Sequence, residues 1–222
     1  MTKRFAIAAL AVLMLGFALP ACGGDDEPEE DAEESSLPSD CEEVSAPEPR
    51  DVSLDPPPSK PSGQDLVAVV ETSCGTFEIA LDTKLSPKTT ASFEYLAENG
   101  VYDDTLFHRI IPGFVIQAGD PSNTGSGPDP GYTIDEPPPT DFAYTQGVVA
   151  MAKTEVEPPG RSGSQFFVVL PPQADVQPVF AVLGEVTEGF DVVETIAELG
   201  SPDGSGSPLE PVVIDSVTIE AG

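Results

Sequence analysis

From Leu66 onward the apolar residues fall into short runs rather than long stripes, and the runs predict a mainly β domain with two helices. LVAVVE (66–71) and GTFEIAL (75–81) flank a turn built from Ser73, Cys74 and Gly75, which reads as a hairpin. Ser86-Pro87 then opens a helix, because proline suits the first helical position. Thr90, Phe93, Leu96 and Ala97 share one face of that helix, and Asn99-Gly100 ends it. Further strands are expected over 105–111, 114–118, 147–151, 165–170 and 179–186. A second helix runs from about Phe190 to Leu199 with Val192, Val193, Ile196 and Leu199 inward, and VVIDSVTIE (212–220) alternates as a final strand. Many short strands with only two helices suggest a closed barrel with helices over its ends.

The first 64 residues have a different pattern. Lys3 and Arg4 precede an apolar stretch, Phe5 to Leu19, of 15 residues. That is short for a membrane span, which needs roughly 20 residues, and it reads as a secretion signal over 1–21. The signal ends Leu19-Pro20-Ala21-Cys22, which resembles the lipobox of bacterial lipoproteins. The resemblance implies acylation of Cys22 and an extracytoplasmic, lipid-anchored protein; an ordinary secretion signal and an uncleaved anchor are the alternatives. Residues 22–64 read as an acidic, proline-rich disordered tether: eight of the ten positions from Asp25 to Glu34 are acidic, and Pro56-Pro57-Pro58 stiffens its end. The globular domain is then 65–222.

Charge narrows the partners. The chain holds 39 acidic residues against 9 basic ones, for a net charge of −30. Nucleic acid is excluded as a partner, since its phosphates would be repelled. With Cys22 assigned to the anchor, Cys41 and Cys74 remain, and an oxidising compartment favours a disulfide between them over two independent thiols. A single histidine and no CxxC leave no metal site in view.

Three blocks carry the chemistry: FHRIIPGFVIQAGD (107–120), GVVAMAK (147–153) and GSQFFVVL (163–170). In this order they resemble the active-site blocks of the cyclophilin family of peptidyl-prolyl cis–trans isomerases, and the resemblance runs from about Leu66 to Glu220. It implies a closed eight-stranded antiparallel barrel capped by two helices, acting on proline-containing polypeptides as a monomer without a cofactor. Arg109 falls on the family's catalytic arginine, and Gln117 on the glutamine that hydrogen-bonds and orients it. Phe114 and Phe167 match the two pocket phenylalanines, and Phe114 is counted with the catalytic set. Val115 stands where many members have Met, Val176 replaces a pocket Leu, and Phe180 stands where His or Tyr is common. Gln165 matches a residue lining the substrate groove. Ala152 and Lys153 match the segment whose backbone pairs with substrate. Gly125, Gly127 and Gly131 make a flexible neighbouring loop.

The chemistry fits these residue types. Rotation about an X–Pro bond makes and breaks no covalent bond, so it needs a rigid apolar pocket and a fixed donor rather than a nucleophile. An arginine within an apolar block suits the donor better than it suits a surface ion pair. His108 has no proton to move and reads as a wall residue. Asp175 stands near the position of the tryptophan of cyclosporin-sensitive members, and the chain has no Trp, so weak cyclosporin binding is expected. The chain is read as an isomerase assisting the folding of secreted or envelope proteins. A non-catalytic proline-peptide module or holdase on the same fold, and a purely structural lipoprotein, are the rivals.

Overall fold

In the computed structural model, residues 37–57, 64–127 and 129–222 are described. The hairpin forms as the alternation requires: β1 (Leu66–Thr72) and β2 (Gly75–Leu81) bury every second residue and pair in register from Leu66–Leu81 to Thr72–Gly75. Helix α1 (Pro87–Glu98) buries Thr90, Phe93, Leu96 and Ala97. The long expected strand over 105–111 is two short ones, β3 (Thr105–Leu106) and β4 (Arg109–Ile111). After them come β5 (Val115–Ala118), β6 (Ile134–Asp135), β7 (Val148–Met151), β8 (Arg161–Ser162) and β9 (Phe166–Val169). Strand β10 (Val182–Glu188), helix α2 (Phe190–Glu198) and β11 (Val213–Ala221) complete the chain.

Nine of these strands make one antiparallel sheet in the order β3-β11-β1-β2-β10-β7-β9-β5-β4. The expected closed eight-stranded barrel is therefore corrected to a curled, open nine-stranded sheet. Its two edges, β3 and β4, are adjacent in sequence, separated only by Phe107 and His108. The sheet curls until one bent segment serves both edges, pairing with β11 by its first half and with β5 by its second. Its two halves lie end to end, so they cannot form a ladder with each other. A second sheet, β6 with β8, is a two-stranded ribbon beside the first.

The concave side holds the main core. Phe77, Ile79, Phe93, Tyr102, Phe107, Ile116, Phe166 and Leu183 are fully buried there, with α1 and α2 contributing Leu96 and Ile196. Phe93 stacks on Tyr102 at 4.6 Å, and both meet the edge of Phe166. Burial of one such ring contributes on the order of 2–3 kcal/mol.

Residues 37–57 do not behave as the tether expected over 22–64. Leu37, Cys41, Val52 and Leu54 pack against the main core, and Cys41 is disulfide-bonded to Cys74 in the β1–β2 turn. The Arg50 guanidinium donates to the carbonyls of Gly100, Val101 and Asp103. The composition is that of a spacer, but a few anchors hold this part of it down. The signal over 1–21, Cys22 and the rest of the tether before residue 37 lie outside the described residues.

Candidate active site

The convex face of the sheet carries a second apolar cluster, and strand alternation explains it. In β5, Ile116 and Ala118 face the main core while Val115 and Gln117 face out; in β9, Phe166 and Val168 face in while Phe167 and Val169 face out. β7 does the same with Val149 and Met151 against Val148 and Ala150. Both faces of these strands are covered, so they read as continuous apolar runs rather than alternating ones.

Cross-strand register then sets the site. Arg109 on β4 lies opposite Gln117 on β5, Gln117 opposite Phe167 on β9, and Phe167 opposite Ala150 on β7. Directly paired residues point to the same side of a sheet. One transverse row thus presents a cation, an amide and an aromatic ring in sequence. Phe114, Val115, Phe167, Val176, Phe180 and Ala152 all join the convex cluster. Phe167 is 6% exposed, and Phe180 meets it edge-on at 5.3 Å.

Two residues that sequence reasoning passed over complete this wall. Buried Tyr144 donates its hydroxyl to the Phe180 carbonyl at 2.7 Å and accepts from the Phe180 amide at 3.1 Å, which fixes that ring's backbone. Burial pushes the Tyr144 phenol up to about 12, so it stays a neutral donor. Phe142 packs on the Tyr144 ring at 5.1 Å. The spacing of Phe142 and Tyr144 was the available signal, but it falls in a loop and not in a strand.

Arg109 is half-buried, and the two ion pairs among the described residues, Lys84–Asp65 and Arg161–Asp135, do not include it. Its aliphatic stem lies against Gly206, whose φ is +83°; a Cβ there would stand 3.1 Å from Arg109 Cγ. Gln117 donates its amide Nε2 to Gln165 Oε1 at 2.9 Å. The expected Gln117–Arg109 bond is thus replaced by a Gln117–Gln165 bond. A guanidinium has only donors, so it can use only Gln117 Oε1, which that bond leaves unoccupied.

A groove of about 380 Å³ starts at Gln117 and Gln165 and runs past Ala152, Gly125 and Gly127. Asp129 and Glu157 put two carboxylates along it. Burial and the Glu157 charge push the Asp129 carboxyl up, against the pull of Arg161. Ala152 is at the groove as expected, and its N–H donates to the Gln165 carbonyl at 2.8 Å, so that N–H is engaged within the sheet. Lys153 turns its ammonium to the carbonyls of Thr154 and Glu157 and lies 5.5 Å from the Phe180 ring centre.

The glycine-rich loop, expected to be flexible, is tied down. Buried Asp120 accepts from the Ser122 amide and hydroxyl, both at 2.9 Å, and from the Gly127 amide at 3.1 Å. Burial alone would raise the Asp120 carboxyl, but these donors outweigh it and hold the group below its ordinary value. On the far side of Arg109, His108, Arg109 and Gly206 border a smaller hollow of about 200 Å³.

Comparison with known proteins agrees with this geometry. The family model of cyclophilin type peptidyl-prolyl cis-trans isomerase/CLD matches residues 67–219. Peptidyl-prolyl cis-trans isomerase B of Streptomyces anulatus is 37% identical over 175 residues, covering 71% of this chain and 98% of the relative. Peptidyl-prolyl cis-trans isomerase CYP18-2 of Arabidopsis thaliana is 32% identical over 159 residues, covering 70% and 94%. A crystal structure of a cyclophilin type isomerase from Cryptosporidium parvum superposes with a TM-score of 0.64 at 28% identity, covering 71% of this chain and 99% of that one. The family match, the two relatives and the curled sheet agree: this chain belongs to the cyclophilin-type peptidyl-prolyl cis-trans isomerases.

Proposed function

We propose that Arg109 is the donor that accelerates X–Pro rotation in this chain, with the convex apolar cluster as the proline pocket. The single observation that carries this is the row Arg109–Gln117–Phe167 in register, with the arginine free of any carboxylate partner among the described residues. A planar amide resists rotation by roughly 18–20 kcal/mol because of its resonance. As it twists, the resonance is lost and the imide nitrogen becomes a hydrogen-bond acceptor. A guanidinium aimed at that nitrogen stabilises the twisted state more than either planar state, which is what lowers the barrier. Phe114, Val115, Phe167, Val176 and Phe180 hold the ring, so one side of the amide stays fixed while the other turns. A solved relative was crystallised in the presence of the dipeptide Ala-Pro, and the same dipeptide is a minimal probe here.

The clients are taken to be secreted or envelope proteins, because a signal-like segment and Leu19-Pro20-Ala21-Cys22 precede the domain. The test is the cis-to-trans rate in a proline tetrapeptide. Arg109→Ala should lower kcat/KM by about 100- to 1,000-fold, as removal of one preorganised donor does elsewhere. Arg109→Lys should restore only part, since a point charge lacks the planar fork. A folded Arg109→Ala protein with near-normal turnover would overturn the role. Peptide binding with no acceleration in the unaltered chain would leave a binding module instead.

A further inference from the structure

The segment 37–57 lies outside the 67–219 span of the family match, yet it reaches the back of the peptide groove. One wall of the groove comes from residues 120–127 and 129–131, which contribute Gly125, Gly127 and Asp129. The segment grips that wall at both feet. The Arg50 amide donates to the Pro121 carbonyl at 2.8 Å, and the Leu54 amide donates to the Pro130 carbonyl at 2.7 Å. At the second foot the contact is close: a Cβ on Gly131, where φ is +100°, would sit 2.4 Å from the Leu54 carbonyl oxygen. Asn123 adds a long bond from its Nδ2 to the Pro47 carbonyl at 3.4 Å.

Arg50 ties the same strap to the rigid body. Its guanidinium donates to three carbonyls, of Gly100, Val101 and Asp103, in the turn that follows α1. These carbonyls lie just past the helix, outside its hydrogen-bond ladder, and a buried carbonyl there needs a donor from elsewhere. One residue thus bonds the turn after α1 through its side chain and the groove loop through its backbone. Downstream, Val52 and Leu54 pack on the core, so the strap cannot slide without breaking apolar contacts.

We infer that the strap, through Arg50, is a positioning device for the substrate groove: it preorganises residues 120–127 and 129–131 to receive the part of a peptide that extends beyond the X–Pro pair. The inference rests on the reading of the convex cluster as the proline pocket. A wall already ordered does not have to be ordered by the peptide, so affinity is gained for long ligands only. A ligand confined to the proline pocket should be indifferent to the strap.

The experiment uses the full chain and two ligands, the dipeptide Ala-Pro and a proline peptide with four residues before the proline. Arg50→Ala should raise KM for the long peptide by about fivefold, with kcat changed little, as expected for lost preorganisation. Binding of Ala-Pro should match that of the unaltered chain. Arg50→Lys keeps the backbone bond to Pro121 but not the three-carbonyl fork, and it should give an intermediate KM. A lowered melting temperature with an unchanged long-peptide KM would make the strap a stability element only and overturn the inference. If Arg50→Ala does not fold, Arg50→Lys decides by the same KM comparison. Failure of the unaltered chain to bind either ligand would instead sink the pocket assignment.

Discussion

His108 is a buried polar group without a task in the reaction: neither ring nitrogen meets a partner with hydrogen-bonding geometry. Burial holds its pKa below the ordinary 6.5, although the Asp120 charge pulls the other way. The folded chain therefore refuses a proton that the unfolded chain accepts. Above about pH 6.5 both states are neutral there and nothing is lost. As pH falls through 6.5 toward the lower folded value, the unfolded state binds more protons and stability drops. Asp120 titrates in another window: its carboxyl is held below 3.8, so its contribution is lost only under stronger acid. His108→Gln should flatten the slope of the urea midpoint against pH just below 6.5, while turnover at neutral pH stays close to normal. An unchanged slope would show that another group titrates there. This residue also marks a limit of pattern reading. Its place next to Arg109 was visible in the sequence, whereas the burial of its ring nitrogens without a well-formed hydrogen bond required the fold.

At the scale of elements, α1 shows how a long-range contact can stand in for a local signal. Ser86 precedes the helix but makes no side-chain cap bond. The cap comes from Glu136, whose carboxylate accepts from the Thr89 amide at 2.7 Å and the Lys88 amide at 3.0 Å. Glu136 follows β6, so the small ribbon delivers an anion to the helix N-terminus, where amides lack partners and the dipole favours negative charge. Glu136→Ala should cost about 1 kcal/mol, or about 2–4 °C in Tm for a domain of this size. Glu136→Gln should recover part by keeping an acceptor, and equal melting temperatures for all three chains would refute the cap. Elements with a buried face were legible from sequence: both helices and the 66–81 hairpin fall where their periodicity puts them. The break in 105–111 was not. Thr105, Phe107 and Ile110 are all buried, and the odd step from Phe107 to Ile110 is a parity slip that a run of apolar letters hides. The β6–β8 ribbon was missed because two-residue strands carry no period. The strap was missed for a related reason: an extended proline-rich segment has no periodic face, and its hold comes from Arg50, Cys41 and scattered amides. In the site, register brought Arg109, Gln117 and Phe167 into one row, but the choice of Gln165 as the amide's partner depended on side-chain geometry.

The whole molecule is dominated by its charge. At −30 it carries far more carboxylates than its 9 basic residues can neutralise, and of the two ion pairs among the described residues one is fully on exposed side chains and the other joins half-buried Arg161 to exposed Asp135. Exposed pairs contribute about 0–1 kcal/mol each, so they offset little of the repulsion. This bears on how the protein would stay at a membrane. Anionic headgroups repel such a chain, and no helix of the described residues is long and apolar enough to span a bilayer. We propose that attachment depends on acylation of Cys22, which lies outside the described residues. A single acyl chain holds a protein only marginally, and two signals are needed for stable attachment, so a diacylated cysteine would suffice alone. Salt separates lipid from charge: a protein held by ionic contacts leaves the membrane as ionic strength rises, whereas one held by acyl chains stays. The unaltered chain should therefore remain with membranes through a wash in about 1 M salt, where the screening length is about 3 Å. Cys22→Ala should appear in the soluble fraction, or accumulate as a longer precursor, at low and high salt alike. Membrane association of Cys22→Ala at normal mass and amount would eliminate the lipid anchor and leave an uncleaved N-terminal segment as the attachment.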